Sequence, residues 1–304
     1  MITIYTRTNN IFKKEFWKWF LKKVFRKYSG PDAVLDSLKR GLTELNIPFE
    51  INPFLPAKYQ NIHVLSGVDI LNKMIRKKSK GKIKNLIVGP TMTITPDDYN
   101  GILLDKNIDL ILFPSEWTKD FYVSIKPELK DKIQIWPAGV KIPKDISTKE
   151  NILIFKKNID ENQYNQIIKI LNNKGIIYDI IEYGKYRKDD YIERLKKAKL
   201  LIYLQKTESQ GLALQEAWSY DVPTFVIKNT LWQYNQYSWD DDKMSAPYLT
   251  RESGVFFDTD NLDNILDEFI NNKMSFLPRK YCIDNLSDIV TTNIYINTIK
   301  KYAK

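Results

Sequence analysis

Two carboxylates, Glu208 and Glu216, stand eight positions apart in the run Glu-Ser-Gln-Gly-Leu-Ala-Leu-Gln-Glu. An apolar stretch at 200–204 leads into this run, Gly211 permits a tight turn, and residues 212–220 read as a helix made largely of good helix formers. The start of a helix presents backbone N–H groups that have no intrahelical acceptor, which suits a phosphate. Ser209, Gln210, Gly211 and Leu212 line that start. Glu216 falls more than a turn further along, where an acceptor-only side chain is able to take the hydroxyls of a ribose. The competing reading is a chance pair of glutamates on a solvated helix.

The 304 residues, 43% of them hydrophobic, suffice for two domains of ordinary size with a core each. No run of about 18 apolar residues occurs, and the N-terminal residues lack the pattern of a signal peptide. The chain is therefore expected to be cytoplasmic and not membrane-spanning. A single cysteine, Cys282, excludes an internal disulfide and a cysteine-based metal cluster, and a single histidine, His63, excludes a His-rich zinc site. Chemistry is left to carboxylates, lysines, hydroxyls and backbone, with no metal expected. A formal charge of +10 favours anionic partners: nucleotide diphosphates, anionic lipids or nucleic acid.

The elements that must position these groups alternate between short Ile/Val/Leu-rich runs and longer amphipathic stretches, the pattern of a doubly wound α/β fold. Candidate strands fall at 2–6, 49–52, 62–65, 85–88, 110–113 and 133–136, and again at 152–155, 177–181, 200–204, 224–227 and 255–257. Apolar residues on both faces mark them as buried and parallel. Residues 137–143, with two prolines and a glycine, read as a linker between two such units.

The string running from Glu208 through Gly211, Leu212, Glu216 and Ala217 to Val222-Pro223 resembles the E-x7-E signature of retaining GT-B glycosyltransferases, most closely glycosyltransferase family 4. Ile135-Trp-Pro-Ala-Gly-Val140 is similar to the short strand and turn before that family's interdomain linker. The resemblance covers 110–140 and 152–257 well and the first hundred residues in outline. It implies an α/β fold of two Rossmann-like domains facing a central cleft, with an N-terminal acceptor-side domain at 1–141, a nucleotide-sugar-binding domain at 142–287, and a C-terminal helix at 288–304 returning toward the first domain. It further implies a retaining, hexosyltransferase-like enzyme of glycan biosynthesis. Its donor would be a nucleotide diphosphate sugar and its acceptor a hydroxyl of a glycan or lipid-linked molecule.

Ligands of open α/β sheets bind beyond the carboxyl ends of the strands. In the second half those positions hold Lys156, Lys157, Tyr183, Gly184 and Thr207 to Leu212. Negative charge grows on a departing diphosphate, and a cation stabilises it. By the resemblance, Lys157 stands where the family has an Arg, Glu208 lies beside the donor sugar, and Glu216 holds the ribose. The family's second cation, five residues on, is Asn162 here, and Lys156, Lys185, Arg187 and Lys206 are the substitutes nearby. Asp221 replaces the usual turn glycine, a change that the left-handed tolerance of Asp accommodates.

In the first half, Gly30, Pro31, His63, Ser66, Gly67, Gly89, Pro90, Thr91, Ser115 and Glu116 stand at strand ends or helix starts and are candidates for the acceptor side. His63, a lone histidine inside a strand, reads more readily as a hydrogen-bonded core residue than as a catalytic one. Asp240-Asp-Asp242 resembles the D-x-D of the other large glycosyltransferase fold but follows a polar aromatic segment, 232–239, and reads as a solvated loop. Those aromatics suit sugar stacking or core packing alike. As a helix, residues 12–28 would gather lysines on one side and Phe16, Trp17, Phe20 and Phe25 on the other, which fits either a peripheral contact with an anionic membrane or an ordinary surface helix. A non-catalytic GT-B-like module and a basic nucleic-acid binder are the competing readings of the whole chain. No signature of specific nucleic-acid binding accompanies the basic runs.

Overall fold

The computed structural model describes residues 1–7, 17, 20, 21, 29–56, 60–90, 92–146 and 149–302. The chain forms two compact units, one of Met1–Gly139 with Asp288–Lys304 and one of Val140–Ser287.

The first unit is built on a six-stranded parallel sheet in the order β2-β1-β3-β4-β5-β6. Its strands are β1 (Ile2–Tyr5), β2 (Phe49–Ile51), β3 (Asn61–Val64), β4 (Asn85–Val88), β5 (Leu110–Phe113) and β6 (Ile133–Ile135). β1, β4 and β5 are buried along their whole length, which explains their largely apolar composition, broken only by Thr3 in β1 and Asn85 in β4. The connecting helices include α1 (Gly30–Glu44), α2 (Val68–Ser79) and α3 (Glu116–Ile125). α1 starts at a capping box, where the Ser29 amide donates to Asp32 Oδ2 at 2.9 Å.

The second unit carries a five-stranded parallel sheet in the order β13-β10-β9-β7-β8. These strands are β7 (Asn151–Asn158), β8 (Tyr178–Glu182), β9 (Ala198–Gln205), β10 (Thr224–Ile227) and β13 (Gly254–Phe257), with α4 (Glu161–Asn173), α5 (Lys188–Lys197), α6 (Leu212–Ser219), α7 (Leu262–Ile270) and α8 (Pro278–Leu286) around them. Side chains alternate across each strand, so the sheet buries two cores. Leu153, Phe155, Leu201 and Tyr203 meet α5, α6 and α8 on one face, while Ile152, Ile154, Leu200 and Ile202 meet α4 and α7 on the other. Both units thus have the doubly wound, Rossmann-like architecture read from the alternating runs.

The polar aromatic segment at 232–239, which the sequence places before a solvated loop at Asp240–Asp242, lies in an antiparallel hairpin. Its strands are β11 (Leu231–Tyr234) and β12 (Tyr237–Asp240), with Trp232 opposite Trp239 and Tyr234 opposite Tyr237. The turn residue Asn235 has φ +52. Cross-strand aromatic pairs on one face and a left-handed Asn are what stabilise such a hairpin. Asp240 therefore closes a strand, and Asp241 Oδ1 accepts from the Lys243 amide at 2.8 Å.

A last helix, α9 (Asp288–Tyr302), packs on α1 within the first unit. Arg40 binds Asp288 through two hydrogen bonds, of 2.5 and 3.0 Å, and Trp136 Nε1 donates to Thr291 O at 3.1 Å. Gly41 lets the two helices approach, since a Cβ there would lie 2.6 Å from Asp288 O and overlap Thr292 Oγ1.

Candidate functional site

In the second unit the chain runs from β7 outward to β8 and then returns to place β9 on the other side of β7. The point between β7 and β9 is thus where the strand order reverses, the place at which open α/β sheets bind ligands beyond the carboxyl ends of their strands. Lys157 is the last residue but one of β7 and Glu208 follows β9, so the topology alone brings them to this point. The ladder also shifts register between Lys156 and Asn158, leaving Lys157 at an irregularity of the kind that re-aims a side chain.

Lys157 Nζ donates to Glu208 Oε1 at 2.7 Å, and Tyr203 Oη donates to the same oxygen at 2.6 Å. Tyr203 is fully buried, stacked on Phe155 with ring centroids 4.9 Å apart. Burial first, and the Glu208 charge second, push its phenol well above the ordinary range, so it remains a donor. Burial likewise raises Tyr186 and Tyr191 next to it, again with a contribution from Glu208. Lys157 Nζ also lies 4.7 Å from the centroid of the exposed Tyr183 ring. The Glu208 amide is tied to Met244 O at 2.9 Å, fixing the loop from the far side. One cation, one carboxylate and three neutral phenols thus gather at a strand end.

Three residues on, Gly211 takes φ +83, which glycine adopts without strain, and α6 begins at Leu212. Gln210 is buried and bonds Gln215 Oε1 at 3.0 Å, while Ser209 is exposed. Glu216 sits on the second turn of α6 and is paired with Lys188, the first residue of α5. At the far end of α6, Asp221 adopts the left-handed conformation, φ +60. Gly184 also has positive φ, +83, and follows Tyr183 beyond β8.

The other lysines and Arg187 lie elsewhere. Lys156, on the opposite face of β7 from Lys157, binds Glu161 at 2.8 Å and covers the Tyr164 ring at 3.9 Å. Lys185 pairs with Glu182 and Arg187 with Asp189, both at the surface. In the sequence nothing distinguishes Lys188 from the other lysines of its basic run, and Tyr203, a tyrosine inside an apolar strand, reads as core. Asn162, in place of a second cation, lies in the first turn of α4 with its amide bonded to Asp160.

In the first unit, His63 is completely buried. Its Nε2 lies 2.7 Å from Gly89 O, which can only accept, so Nε2 carries the proton and Nδ1 accepts from Tyr295 Oη at 2.8 Å. Burial lowers its pKa to about 4. These are the features of a satisfied core histidine. Gly89, with φ +104, has no room for a Cβ against Leu112 O, and Pro90 follows it. Ser66 Oγ donates to Thr6 O at 3.1 Å and Gly67 precedes α2, so both stand at the reversal of strand order between β1 and β3. Gly30 and Pro31 open α1, and Ser115 and Glu116 open α3. Thr91, and residues 12–28 apart from Trp17, Phe20 and Leu21, lie outside the described residues. Those three expose 52%, 43% and 51% of their surface.

Among the described residues no cluster of His, Cys, Asp and Glu is arranged to hold a metal ion, and no helix is long and apolar enough to cross a membrane.

No family model matches the chain, and no curated protein matches it in sequence. Solved structures do. The apo form of WaaB, a galactosyltransferase of the lipopolysaccharide outer core, superposes with a TM-score of 0.62 at 12% identity over 99% of each chain. HepE of Anabaena, solved in complex with UDP and glucose, superposes with a TM-score of 0.57 at 11% identity, again over 99% of each chain. The fold is GT-B. At such identity the likeness is one of fold, and it extends over both Rossmann-like units.

Proposed function

We propose that the chain is a glycosyltransferase of the family 4 type that moves a sugar from a nucleotide diphosphate to a hydroxyl of a glycan or lipid-linked acceptor, with retention at the anomeric carbon. The observation that carries this reading is the Lys157–Glu208–Tyr203 cluster at the reversal point of the second sheet, with α6 and Glu216 directly behind it. In this reading residues 142–287 bind the donor and 1–141 the acceptor. The galactosyltransferase activity of WaaB and the UDP and glucose bound by HepE support the choice of donor class.

The bond from the anomeric carbon to the diphosphate oxygen breaks, the acceptor oxygen takes its place, and the acceptor proton goes to the departing phosphate. No strong protein base is required, so a buried, neutral His63 does not weigh against the reaction. Lys157 offsets charge growing on the leaving diphosphate, while the first amides of α6 face its phosphates. Glu208 stands beside the sugar ring, where its carboxylate steadies positive charge developing at the anomeric carbon. Tyr203 and Lys157 together hold that carboxylate in one orientation. Tyr183, Gly184, Ser209 and Gln210 complete the donor side. Lysine suffices as the cation and no metal takes part. The enzyme acts in the cytoplasm, and residues 12–28 give it a peripheral contact with the inner membrane surface.

The full chain is to be screened against UDP-, GDP- and ADP-sugars by thermal shift and donor hydrolysis, alongside Glu208→Gln and Glu216→Gln. A true donor at a hundredfold excess over its Kd adds about 2.7 kcal/mol of apparent stability. Glu208→Gln retains that shift and loses turnover, while Glu216→Gln loses the shift. A wild type that responds to none of the nucleotide sugars overturns the proposal, and binding without any turnover leaves a non-catalytic module of the same fold.

A further inference from the structure

The Glu216 side chain has one hydrogen-bond partner among the described residues, Lys188, which donates to Oε1. The other oxygen, Oε2, takes no hydrogen bond, yet it is not sealed away among the buried unpaired atoms. With 17% of the side chain exposed, the carboxylate is largely enclosed, and one of its acceptors faces out. Lys188 comes from a different element, the first position of α5, where the positive end of the helix dipole disfavours a cation. Asp189 and Asp190 beside it balance that field, and Arg187 at the cap position bonds Asp190 at 3.0 Å. The lysine is therefore held where it reaches across to α6.

We propose that Lys188 is a positioning residue that pins Glu216 by Oε1 and leaves Oε2 as a fixed acceptor for one ribose hydroxyl, so that the pair selects ribonucleotide over deoxyribonucleotide donors. This inference rests on the donor site proposed above. Two physical effects support it. An unpinned glutamate would have to give up rotamer freedom on binding, and preorganisation removes that cost. A bare carboxylate would also repel an incoming diphosphate, whereas the Lys188–Glu216 pair is neutral. A hydroxyl donating to a charged acceptor makes one of the stronger hydrogen bonds, and its loss in a deoxy ligand is felt as lost affinity.

The test is calorimetric titration of the full chain with UDP, GDP and ADP, each beside its 2′-deoxy and 3′-deoxy counterpart, for wild type, Lys188→Met and Lys188→Arg. The wild type is expected to prefer the ribonucleotide over one deoxy form on the order of tenfold. In Lys188→Met the ratio falls to about twofold or less, and Lys188→Arg, which keeps the charge and a donor, restores it. The ratio is insensitive to a general loss of stability, because both ligands meet the same folded protein. A wild type that binds ribo and deoxy forms equally overturns the inference and leaves the donor site standing. So does a Lys188→Met variant that loses affinity for both in equal measure. A wild type that binds no nucleotide overturns the donor site as well.

Discussion

Lys157 Nζ and Glu208 Oε1 lie 2.7 Å apart, joining the end of the first strand of the second unit to the loop after its third. Most of both side chains is withdrawn from solvent, so neither charge is easily left alone. The same lysine that would meet a departing diphosphate thus already has a counter-ion, and the donor must share it.

Lys157→Met is expected to lower turnover on the order of a hundredfold while changing the Kd for the donor by less than about threefold, because the charge it offsets is largest in the transition state. Loss of the cation beside Glu208, whose carboxylate keeps its hydrogen bond from Tyr203, also costs stability, roughly 2 kcal/mol, seen as a lower denaturation midpoint in urea. Single-turnover kinetics with calorimetry separates the two effects. An equal loss in kcat and affinity would mean that Lys157 binds the ground state as strongly.

Much of this arrangement is legible in the amino-acid order, and the remainder has identifiable reasons. Buried parallel strands announce themselves as apolar runs, and Gly211 with two glutamates marks a strand–loop–helix unit. Residues joined only by the fold carry no local signal. Lys188 reaches Glu216 across 28 positions, and Tyr295 reaches His63 across 232. The hairpin is different, since Trp232, Tyr234, Tyr237 and Trp239 flank a two-residue turn with strand-like alternation that polar composition obscures.

Gly41→Ala tests the packing of α9 on α1. The new Cβ would crowd Asp288 O and Thr292 Oγ1, and backbone cannot give way as a flexible side-chain end does. Overpacking of this kind costs about 1–3 kcal/mol. Amide hydrogen exchange should show the loss first in α9, with the second unit unaffected. Unchanged protection in Asp288–Tyr302 would mean that the helices separate at little cost.

Replacing Trp17 and Phe20 by serine, or Lys18 and Lys22 by glutamate, should reduce sedimentation with anionic liposomes and leave donor binding intact. Apolar burial and attraction to a negative surface act together at an interface, and salt screens the second. High salt should therefore mimic the charge reversal. Wild type that ignores anionic liposomes at low salt would end the membrane proposal.

His63 makes stability depend on acid in a defined window. Its folded pKa is about 4 against an ordinary 6.5, because burial disfavours the charged ring. A folded pKa below the unfolded one means that the unfolded chain takes up the proton first as pH falls. The stabilisation is whole above pH 6.5, declines between 6.5 and about 4, and declines no further below that. Integrated over the window the loss is about 3 kcal/mol. Carboxylates add their own pH dependence, so the comparison must be with His63→Gln, which cannot titrate. Gln can still offer a donor toward Gly89 O and an acceptor toward Tyr295 Oη, although with poorer geometry. In urea denaturation at pH 7 the wild type should be the more stable, and its advantage should shrink by about 3 kcal/mol by pH 4. Parallel stability curves for the two proteins across that range would show that His63 is not held neutral by burial.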